Sequence, residues 1–527
     1  MKIPESNRAQ FFGGVVWFGL LAMTARTATD PDLWWHLRTG QWIMETGRIP
    51  HTDPFSFTRA GQPWVAHEWL SEVIFYELWK HAGEAGLIVF AALITAAGFM
   101  LLYRRCPGKP HWAAAATVLG ALASAPAWGV RPQMFTFALA SLLLWLLDTG
   151  QQRPWRLLWI PPLFLLWLNL HAGFALGPAL LLAYGLGWLW EVATGETPWP
   201  EARPTLIRLL LLLLACGALV PFNPSGAQLY RYPLDVLHSA GMRSFIVEWL
   251  SPDFHQSRFW PLLLICLLLT IAGGSSRLRP KARLLVPLLG TFLAALDAVR
   301  HISIFVLLAM PVIAAALPAA SSSWRLGRDR TITAGHNYRA AFHAAVLILM
   351  AVFTAARWQS LIRHQGATEA ELFPQRAVEA LRSEGSGSNR RLLAYYDWGG
   401  YVIWKLYPQE RVFVDGRADL YGDDLIVQFK TAVELRRGWQ KVLEERGVEA
   451  VLIPTSSPLA QALARQPHWV VRYRDPKATV LLRFKPPVGG TESAQKTPRQ
   501  GKLVKNLYRS PPESAKLGSI ELFRSQD

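Results

Sequence analysis

The sequence contains only three cysteines, and their positions exclude two kinds of structure. Cys106 follows an apolar run, and Cys216 and Cys266 lie inside apolar runs, so none falls in a loop that we predict below to be extracytoplasmic. The sequence therefore predicts neither a disulfide framework nor a cysteine-ligated metal site. It also lacks a glycine-rich nucleotide-phosphate loop, a dinucleotide-binding glycine motif, a serine nucleophile elbow and an internal repeat.

Charged residues are scarce as well. They make up 17% of the 527 residues, against 51% hydrophobic residues, and this composition is too apolar for an ordinary soluble enzyme. The apolar residues are clustered in runs with almost no charge that approach the length needed to cross a bilayer. We predict a mostly α-helical polytopic membrane protein with about eleven membrane helices, near residues 11–27, 86–103, 112–128, 133–148, 157–170, 173–190, 206–221, 259–274, 284–299, 301–318 and 341–357.

Acidic residues are the rarer charged type, since 37 Asp and Glu stand against 54 Lys and Arg, giving a net charge of +17. The basic residues concentrate in alternate short loops, for example at Arg104, Arg153 and Arg279. This is the positive-inside bias of membrane proteins, so the basic excess requires no nucleic-acid partner. It predicts an inner (cytoplasmic) membrane protein with a cytoplasmic N-terminus and an extracytoplasmic C-terminal segment. The alternative for the N-terminus is a signal peptide cleaved near residues 25–28.

The sequence pattern divides the chain into three predicted parts. Residues 1–357 carry the membrane helices, and residues 28–85 among them form a long first external loop. Residues 358–486 predict an extracytoplasmic α/β domain with a long helix at 424–447 and a mostly parallel sheet. Residues 487–527 predict a disordered basic tail. The strands of the α/β domain are expected near 391–396, 411–415, 449–454, 469–474 and 479–484.

The first external loop begins with the stretch TDPDLWWHLRTG, directly after a membrane helix. Asp30 and Asp32 flank a proline, a pattern typical of a helix start, because Asp is a preferred N-cap and acids suit the first helical turn. The tryptophan pair Trp34–Trp35 suits the boundary between lipid headgroups and water. A helix start does not explain why acids lie where a membrane helix surfaces, opposite a second polar cluster at His67 and Glu68.

The acid pair of this loop carries a resemblance to a known family. A membrane helix followed at once by an external acid pair resembles the GT-C superfamily of integral-membrane glycosyltransferases, which use polyprenyl-phosphate or polyprenyl-diphosphate sugars. The spacing Asp30-x-Asp32-x-x-x-His36 is similar to the pattern in the lipid-linked-sugar glucosyltransferases of this superfamily. In the family one of the acids is the general base or helps to bind a metal. The resemblance therefore implies Asp30 as the base, Asp32 as its partner, and Mg or Mn as the expected metal if one is bound.

The predicted C-terminal domain contains a second such motif. The segment Tyr395–Gly399 (YYDWG) is similar to the Trp-Trp-Asp-Tyr-Gly motif of the oligosaccharyltransferase catalytic subunit, which also lies in an external domain after the last membrane helix. The resemblance implies that Asp397 and Trp398 bind substrate. The order of the aromatic residues differs from that motif, so a lipid, a glycan or a protein all stay open as the acceptor.

Several cationic residues lie at the predicted external ends of membrane helices, against the positive-inside bias. Arg131 opens the fourth membrane helix, His171 lies between the fifth and sixth, and Arg300–His301 lie between the ninth and tenth. A guanidinium group is well suited to bind phosphate through two parallel hydrogen bonds. The structural alternatives are snorkelling to lipid headgroups and an ion pair, for example of Arg300 with Asp297.

Two further segments contribute candidates. The external loop 222–258 contains Arg231 and Glu248. In the α/β domain, Asp415 and Arg417 directly follow a predicted strand, where side chains often line a cleft. Their structural alternative is a turn followed by acidic residues at a helix start.

Together these residues predict a membrane glycosyltransferase that moves a sugar from a polyprenyl-phosphate or polyprenyl-diphosphate donor to an extracytoplasmic acceptor, with inversion. One alternative is a transporter or flippase for a lipid-linked or anionic substrate, which favours polar or broken helices at mid-membrane. The other is a non-enzymatic scaffold for assembly of the cell envelope. The predicted catalytic residues are Asp30, Asp32 and His36. The predicted substrate-binding residues are His67, Glu68, Arg131, His171, Arg300, His301, Asp397, Trp398, Asp415 and Arg417.

Overall fold

The computed structural model describes residues 5–274, 280–321, 336–384 and 389–484. The predicted tail at 487–527 and the basic residues Arg279 and Arg328 lie outside these segments. Residues up to Arg483 pack as one compact unit. The helices are α1 (Glu5–Thr24), α2 (Leu33–Thr46), α3 (Trp69–Arg105), α4 (Pro110–Ser124), α5 (Gln133–Gly150), α6 (Ile160–Leu170), α7 (Leu176–Ala193), α8 (Trp199–Leu219), α9 (Tyr232–His238), α10 (Ala240–Phe245), α11 (Trp260–Gly273), α12 (Ala282–Asp297), α13 (Ile302–Ser321), α14 (His336–Leu372), α15 (Gln375–Ser383), α16 (Gly399–Leu406), α17 (Ala418–Val433), α18 (Trp439–Glu445) and α19 (Pro458–Leu463). The strands are β1 (Arg390–Ala394), β2 (Glu410–Val412), β3 (Ala450–Pro454), β4 (Trp469–Arg474) and β5 (Ala478–Arg483). Short 3-10 turns lie at Ala125–Ala127, Pro154–Trp159, Ala172–Ala175, Val220–Phe222, Gly226–Tyr230, Val247–Trp249, Ser257–Phe259, Val299–His301 and Tyr396–Trp398.

Every membrane segment predicted from the sequence coincides with a helix, namely α1, α3–α8 and α11–α14. Within the described segments, 6 helical stretches are long and apolar enough to cross a bilayer. A shorter apolar stretch spans Ser257–Gly273. The helical, polytopic character of the protein is therefore confirmed, whereas the number of eleven spans is not. The six stretches are Trp69–Arg105, Gln133–Gly150, Ala172–Ala193, Trp199–Phe222, Val299–Ala316 and Ala340–Leu372.

The helices present an apolar outer surface and pack closely inside. Leu211 of α8, Leu267 of α11 and Leu349 of α14 are each more than half exposed, and such a continuous apolar surface is typical of helices that face lipid. Inside the bundle, a Cβ at Gly98 would lie 2.7 Å from the ring of Phe137, so α3 and α5 approach closely only because this residue is glycine.

The C-terminal part folds into a five-stranded sheet in the order β2-β1-β3-β5-β4. The pairs β1–β2 and β1–β3 are parallel, whereas β5 pairs antiparallel with both β3 and β4. The strands lie within a few residues of their predicted positions, because each is a short apolar run that ends at a turn. The sheet is thus mixed, with its parallel half formed by the first three strands.

The prediction of one continuous helix at 424–447 is wrong. The chain forms α17 and α18 instead, separated by a turn in which Leu435 and Gly438 both have positive φ angles, 57° and 89°. Apolar residues continue at helical spacing through this turn, so the sequence period does not show the break. Gly438 allows it, because glycine adopts positive φ without a steric penalty.

The first external loop consists of α2, an irregular segment and the first turns of α3. At Gly83 the backbone of α3 leaves helical geometry, with φ 59° and ψ −159°, so the amphipathic start of α3 and its membrane part are two helical pieces. Trp34 is fully buried, and its ring meets the rings of Phe373 and Tyr401 edge-on at 5.4 and 5.0 Å. The prediction that Trp34–Trp35 faces lipid headgroups is therefore wrong, because the C-terminal part of the chain covers the pair.

Candidate active site

Asp30 and Asp32 lie in the turn that joins α1 to α2. The backbone N–H of Asp32 donates to Oδ1 of Asp30 at 3.0 Å, and the indole N–H of Trp35 donates to Oδ1 of Asp32 at 3.2 Å. The N-cap of α2 is Asp32, and its side chain makes no capping hydrogen bond. The helix-cap interpretation of Asp30 therefore does not describe this turn, because Asp30 lies before the cap and, among backbone N–H groups, its carboxylate accepts from that of Asp32.

The surroundings of the two carboxyl groups favour proton binding. Burial raises the pKa of Asp30, and the nearby Arg131 opposes this shift only in part. Burial and the negative charge of Asp30 raise the pKa of Asp32 well above its ordinary value. A carboxylate with an ordinary pKa near 4 is a weak base at neutral pH, so these shifts make a carboxylate of this pair a stronger proton acceptor.

Arg131, which precedes α5, lies beside Asp30. Its Nε is 3.5 Å from Oδ2 of Asp30, and its Nη2 donates to Oε2 of Glu248. Burial alone would lower the pKa of Arg131, but the carboxylates of Glu248 and Asp30 outweigh it and raise the pKa. The guanidinium therefore stays charged and joins two loops that are distant in the sequence.

Glu248 connects Arg131 to a second arginine. Nη1 of Arg300 lies 3.6 Å from Oε1 of Glu248, and the Arg300 guanidinium stacks over the ring of Trp249 at 4.3 Å. The alternative ion pair of Arg300 with Asp297 does not form, since Asp297 instead lies 3.2 Å from Nη2 of Arg243.

Two other candidates of this region, His301 and Arg231, form no ion pair with the charged residues described above. His301 donates through Nδ1 to the carbonyl of Ala294, 3.2 Å away, and its ring meets that of Trp249 edge-on. Arg231 is largely exposed and pairs with Asp235 within its own helical turn. Sequence reasoning gave Glu248 and Arg231 equal weight, and only the packing of loop 222–258 onto the bundle separates them.

A second cluster surrounds the buried carboxylate of Glu68. Three histidines direct Nε2 at it, from 3.2 Å for His67, 3.5 Å for His171 and 3.6 Å for His36. Nδ1 of His36 also lies 3.4 Å from Oε1 of Glu72. The structure thus brings together four of the predicted site residues, which come from α2, the first external loop and the α6–α7 connection.

The protonation state of this cluster follows from its hydrogen bonds. Nδ1 of His67 faces the carbonyl of Val65 at 3.1 Å and its Nε2 faces Glu68, so both nitrogens meet acceptors and the ring is cationic. Burial opposes this charge, but the Glu68 carboxylate outweighs burial and raises the pKa of His67. In the other direction, burial lowers the pKa of His36 to about 3 and that of His171 to about 4.

The tautomer of His171 is fixed from the side away from Glu68. Its Nδ1 accepts from the backbone N–H of Gly173 at 3.0 Å and lies 2.7 Å from Oγ1 of Thr136. The single proton of this neutral ring therefore lies on Nε2 and points at Glu68. The cluster is a buried ion pair of His67 with Glu68 flanked by two neutral imidazoles.

Two glycines beside the C-terminal sheet, Gly400 and Gly416, pack directly against the turn that carries the acid pair. A Cβ at Gly416 would lie 1.7 Å from Oδ1 of Asp32, and one at Gly400 would lie 2.7 Å from the carbonyl oxygen of Pro31. No other residue type permits this approach, which explains the glycines that follow the YYDW and VFVD segments. Asp397 is exposed at the carboxyl end of β1, within electrostatic reach of Asp30.

Three predicted substrate-binding residues beside the sheet, Asp415, Arg417 and Trp398, form hydrogen bonds within the protein itself. Arg417 is 1% exposed, and its guanidinium donates to both oxygens of Asp415 at 2.9 and 2.7 Å and to Oδ1 of Asp53 at 2.8 Å. It also lies over the ring of Trp64 at 4.6 Å. Trp398 is likewise buried, with its indole N–H donating to the carbonyl of Leu372 at 3.2 Å. Arg417 thus joins the first external loop to the sheet, and the assignment of Asp415 and Arg417 to substrate stays a prediction that the geometry does not favour.

The expected divalent cation has no matching donor set. Among the residues that the structure describes, no group of three or more His, Cys, Asp or Glu side chains could hold a metal ion. Asp30 directs Oδ2 at a guanidinium, and Asp32 accepts from an indole N–H. The two carboxylates do not fit a metal in this arrangement. Binding of Mg or Mn at Asp30 and Asp32 stays a prediction from the resemblance, and this geometry does not support it.

Comparison with solved structures places the fold. The chain is similar to the oligosaccharyltransferase of Archaeoglobus fulgidus in its apo form, with a TM-score of 0.50 at 12% identity, covering 86% of this chain and 70% of that one. AglB from the same organism, in complex with an inhibitory peptide and a dolichol-phosphate, gives a TM-score of 0.50 at 12% identity, over 84% and 69%. ArnT from Cupriavidus metallidurans, bound to undecaprenyl phosphate, gives 0.46 at 16% identity, over 91% and 98%. No family profile and no curated protein matches the sequence.

These similarities define the class of fold. The resemblance to GT-C membrane glycosyltransferases that the sequence motifs carry is confirmed at the level of the fold. At 12% identity the likeness shows the fold and does not extend to activity.

Proposed function

We propose that this protein is a membrane glycosyltransferase that transfers a sugar from a polyprenyl-phosphate or polyprenyl-diphosphate donor to an extracytoplasmic acceptor. The observation that carries the proposal is the position of Asp30, a partly buried carboxylate with a raised pKa that lies 3.5 Å from the Arg131 guanidinium at the ends of membrane helices. A base and a phosphate-binding cation side by side are what this reaction needs. The GT-C fold and the dolichol-phosphate in the AglB complex agree with it.

The proposed reaction is a single displacement that inverts the anomeric carbon. Asp30 accepts the proton of the acceptor hydroxyl as the new C–O bond forms. The bond from the anomeric carbon to the phosphate oxygen breaks, and its electron pair leaves with the lipid phosphate. Arg131 and Arg300 stabilise the negative charge that develops on that oxygen. Burial and the carboxylate of Glu248 raise the pKa of Asp30, and the hydrogen bond from the backbone N–H of Asp32 limits this rise.

Glu248 and the Glu68 cluster have positioning tasks in this mechanism. Glu248 holds Arg131 and approaches Arg300, so it fixes both guanidinium groups before the substrate arrives. The cluster of Glu68 and three histidines fixes α2 against α3 and the α6–α7 connection, and thereby the turn that carries Asp30. From the charge bias of the loops we place this site on the extracytoplasmic side of the inner membrane.

The test is a transfer assay in proteoliposomes with a panel of polyprenyl-phosphate sugars, in which release of polyprenyl phosphate is measured. Arg131→Ala should lower the rate on the order of a hundredfold, as loss of one preorganised charge donor does. Arg131→Lys should retain more activity because it keeps the charge and loses only the planar fork. Arg231→Ala, at an exposed arginine, is the matched control.

The outcome also separates the alternatives. A scaffold or flippase would release no polyprenyl phosphate from any donor in the panel. Equal activity of Arg131→Ala and Arg231→Ala would show that Arg131 only anchors the protein to headgroups, and would overturn its role in the reaction.

A further inference from the structure

Two arginines near the end of α1 have no acidic partner. Arg26 follows α1 and Arg357 lies in α14, both are half-buried, and their guanidinium groups are close enough to repel each other. Among the described residues, no carboxylate forms an ion pair with Arg26 or Arg357: burial and Arg357 are the only influences on the pKa of Arg26, and Arg357 donates to a backbone carbonyl. By contrast, Arg131 and Arg300 share Asp30 and Glu248, so those two positive charges are already balanced.

The pair is built into the packing of α14 against the end of α1. Nε of Arg357 donates to the carbonyl of Ala22 at 2.6 Å, and the indole N–H of Trp358 donates to the carbonyl of Leu21 at 2.9 Å. These carbonyls belong to the last turn of α1 and would otherwise lack partners. The Nε bond fixes the Arg357 side chain, and its terminal nitrogens donate to no acceptor among the described residues.

Trp128 provides a second, independent sign of a missing acceptor. Its buried indole N–H has no hydrogen-bond partner in the described segments, and such groups are rare in folded proteins. The Arg26 guanidinium lies over the ring of Trp128 at 5.6 Å. The next residue is Gly129, where a Cβ would lie 3.0 Å from Oδ2 of Asp30. Trp128 therefore lies between Arg26 and the residue that contacts the proposed catalytic base.

We propose that Arg26, Arg357 and Trp128 form a binding site for the phosphate group of a membrane lipid, beside Asp30. Two uncompensated guanidinium groups match the charge of a phosphate mono- or diester, and the indole N–H supplies a further donor. The arginines follow apolar helical segments, so the ligand's apolar part has lipid-facing surface beside it. The inference rests on the proposed function, and it gives the donor or product phosphate two further guanidinium groups besides Arg131 and Arg300.

The test measures binding rather than transfer. Purified full-length protein in phosphatidylcholine nanodiscs is titrated with undecaprenyl phosphate, and the bound fraction is followed by native mass spectrometry. Arg26→Gln should raise the Kd by roughly 10- to 100-fold, the weight of a hydrogen bond to a charged group. Arg363→Gln is the matched control, because it removes the same charge from an exposed site on α14. An equal Kd for the two variants would overturn the inference.

Further arms identify the phosphate source and guard against misfolding. Inorganic phosphate should not compete at equal concentration if the lipid chain contributes. If phosphatidylglycerol in the nanodisc competes fully, the site binds bulk headgroups and its link to the sugar donor is overturned. Arg357→Lys, which keeps the charge and a donor for Ala22, should bind better than Arg357→Gln, and loss of binding in both with intact folding contradicts a simple charge role.

The proposed function and this inference fail in different ways. Asp30→Asn should lower the transfer rate by roughly a hundred- to ten-thousand-fold and still bind undecaprenyl phosphate through Arg26. Wild-type protein that binds the lipid at Arg26 but transfers no sugar would overturn the enzyme and keep the site. Normal transfer together with unchanged binding in Arg26→Gln would overturn the lipid-phosphate site and leave the proposed enzyme activity in place.

Discussion

Asp30→Asn is the substitution that tests the mechanism most directly. Asparagine retains Oδ1, so it continues to accept from the backbone N–H of Asp32, which Asp30 does at 3.0 Å. It replaces Oδ2 with an NH2 group that faces Nε of Arg131, 3.5 Å away in the wild type. The change therefore preserves the turn before α2, removes the proton acceptor and breaks one ion pair.

The two effects differ in size. The pair with Arg131 is long, and Arg131 keeps Glu248 as its main partner, so its loss should cost about 1 kcal/mol of unfolding free energy. Loss of a general base lowers the rate by roughly a hundred- to ten-thousand-fold, which corresponds to about 3 to 5 kcal/mol in the barrier. Activity should thus fall far more than stability.

The pH profile gives a second measurement. Because the pKa of Asp30 is raised by burial, the wild-type rate should decline as pH falls through that pKa and the carboxylate takes up a proton. Asp30→Asn should show no such acid limb in its residual activity. Asp32→Asn is the paired control and should be intermediate, since it changes a titratable neighbour of Asp30 and leaves the base itself in place.

The assay is the proteoliposome transfer reaction, with folding checked by the thermal unfolding midpoint in detergent. Full transfer activity in a well-folded Asp30→Asn protein would refute the base assignment. An unchanged acid limb in that variant would show that another group titrates.

Three further predictions concern stability and topology. Arg417→Met should lower the unfolding free energy by about 3 to 5 kcal/mol, since it leaves two buried carboxylates without their cation, and denaturation of purified protein measures this; a change below 1 kcal/mol contradicts the cluster's role. In cysteine-free protein in intact cells, Lys441→Cys should react with an impermeant maleimide and Arg104→Cys should not; the reverse pattern would invert the proposed topology. Burial lowers the pKa of His171 to about 4, so on acidification this ring takes up a proton in the unfolded chain before it does so in the folded chain. The unfolding free energy should therefore fall as pH drops from about 6.5 towards 4, by about 2 kcal/mol at pH 5. His171→Asn should lessen this fall, whereas His67, whose pKa is raised, contributes stability below about 6.5 that is lost at higher pH.

The local elements of this fold were predictable to within a few residues. The apolar runs became helices and the five short runs near the C-terminus became β1–β5, because both depend on periodicity along the chain. The break between α17 and α18 was not predictable in this way, since a positive φ at Leu435 leaves no trace in the apolar pattern. The burial of Trp34 was also missed, because its partners Phe373 and Tyr401 are more than 300 positions away.

The candidate site shows the same division. Asp30 could be named as a candidate because of the acid pair that directly follows a membrane segment, and Arg131 and Arg300 because arginines at predicted external helix ends run against the positive-inside bias. The bridging position of Glu248 and the arrangement of three histidines around Glu68 were not, since each depends on loops that meet only after the helices pack. Asp415 and Arg417 directly follow a strand, as residues that line a cleft often do. Only their burial against Asp53 indicates that they form a structural ion pair rather than a binding site.

The sequence by itself determined the membrane class and the order of helices and strands, and it predicted the acid pair, because hydrophobic periodicity, charge bias and short motifs are properties of neighbouring residues. Tertiary structure decided which charges meet. Arg131 and Arg300 became balanced by Asp30 and Glu248, whereas Arg26 and Arg357 were left without a carboxylate. The reason is physical: the free energy of a charge depends on the distance to its partners and on burial, and both are set by contacts between segments that are remote in the chain.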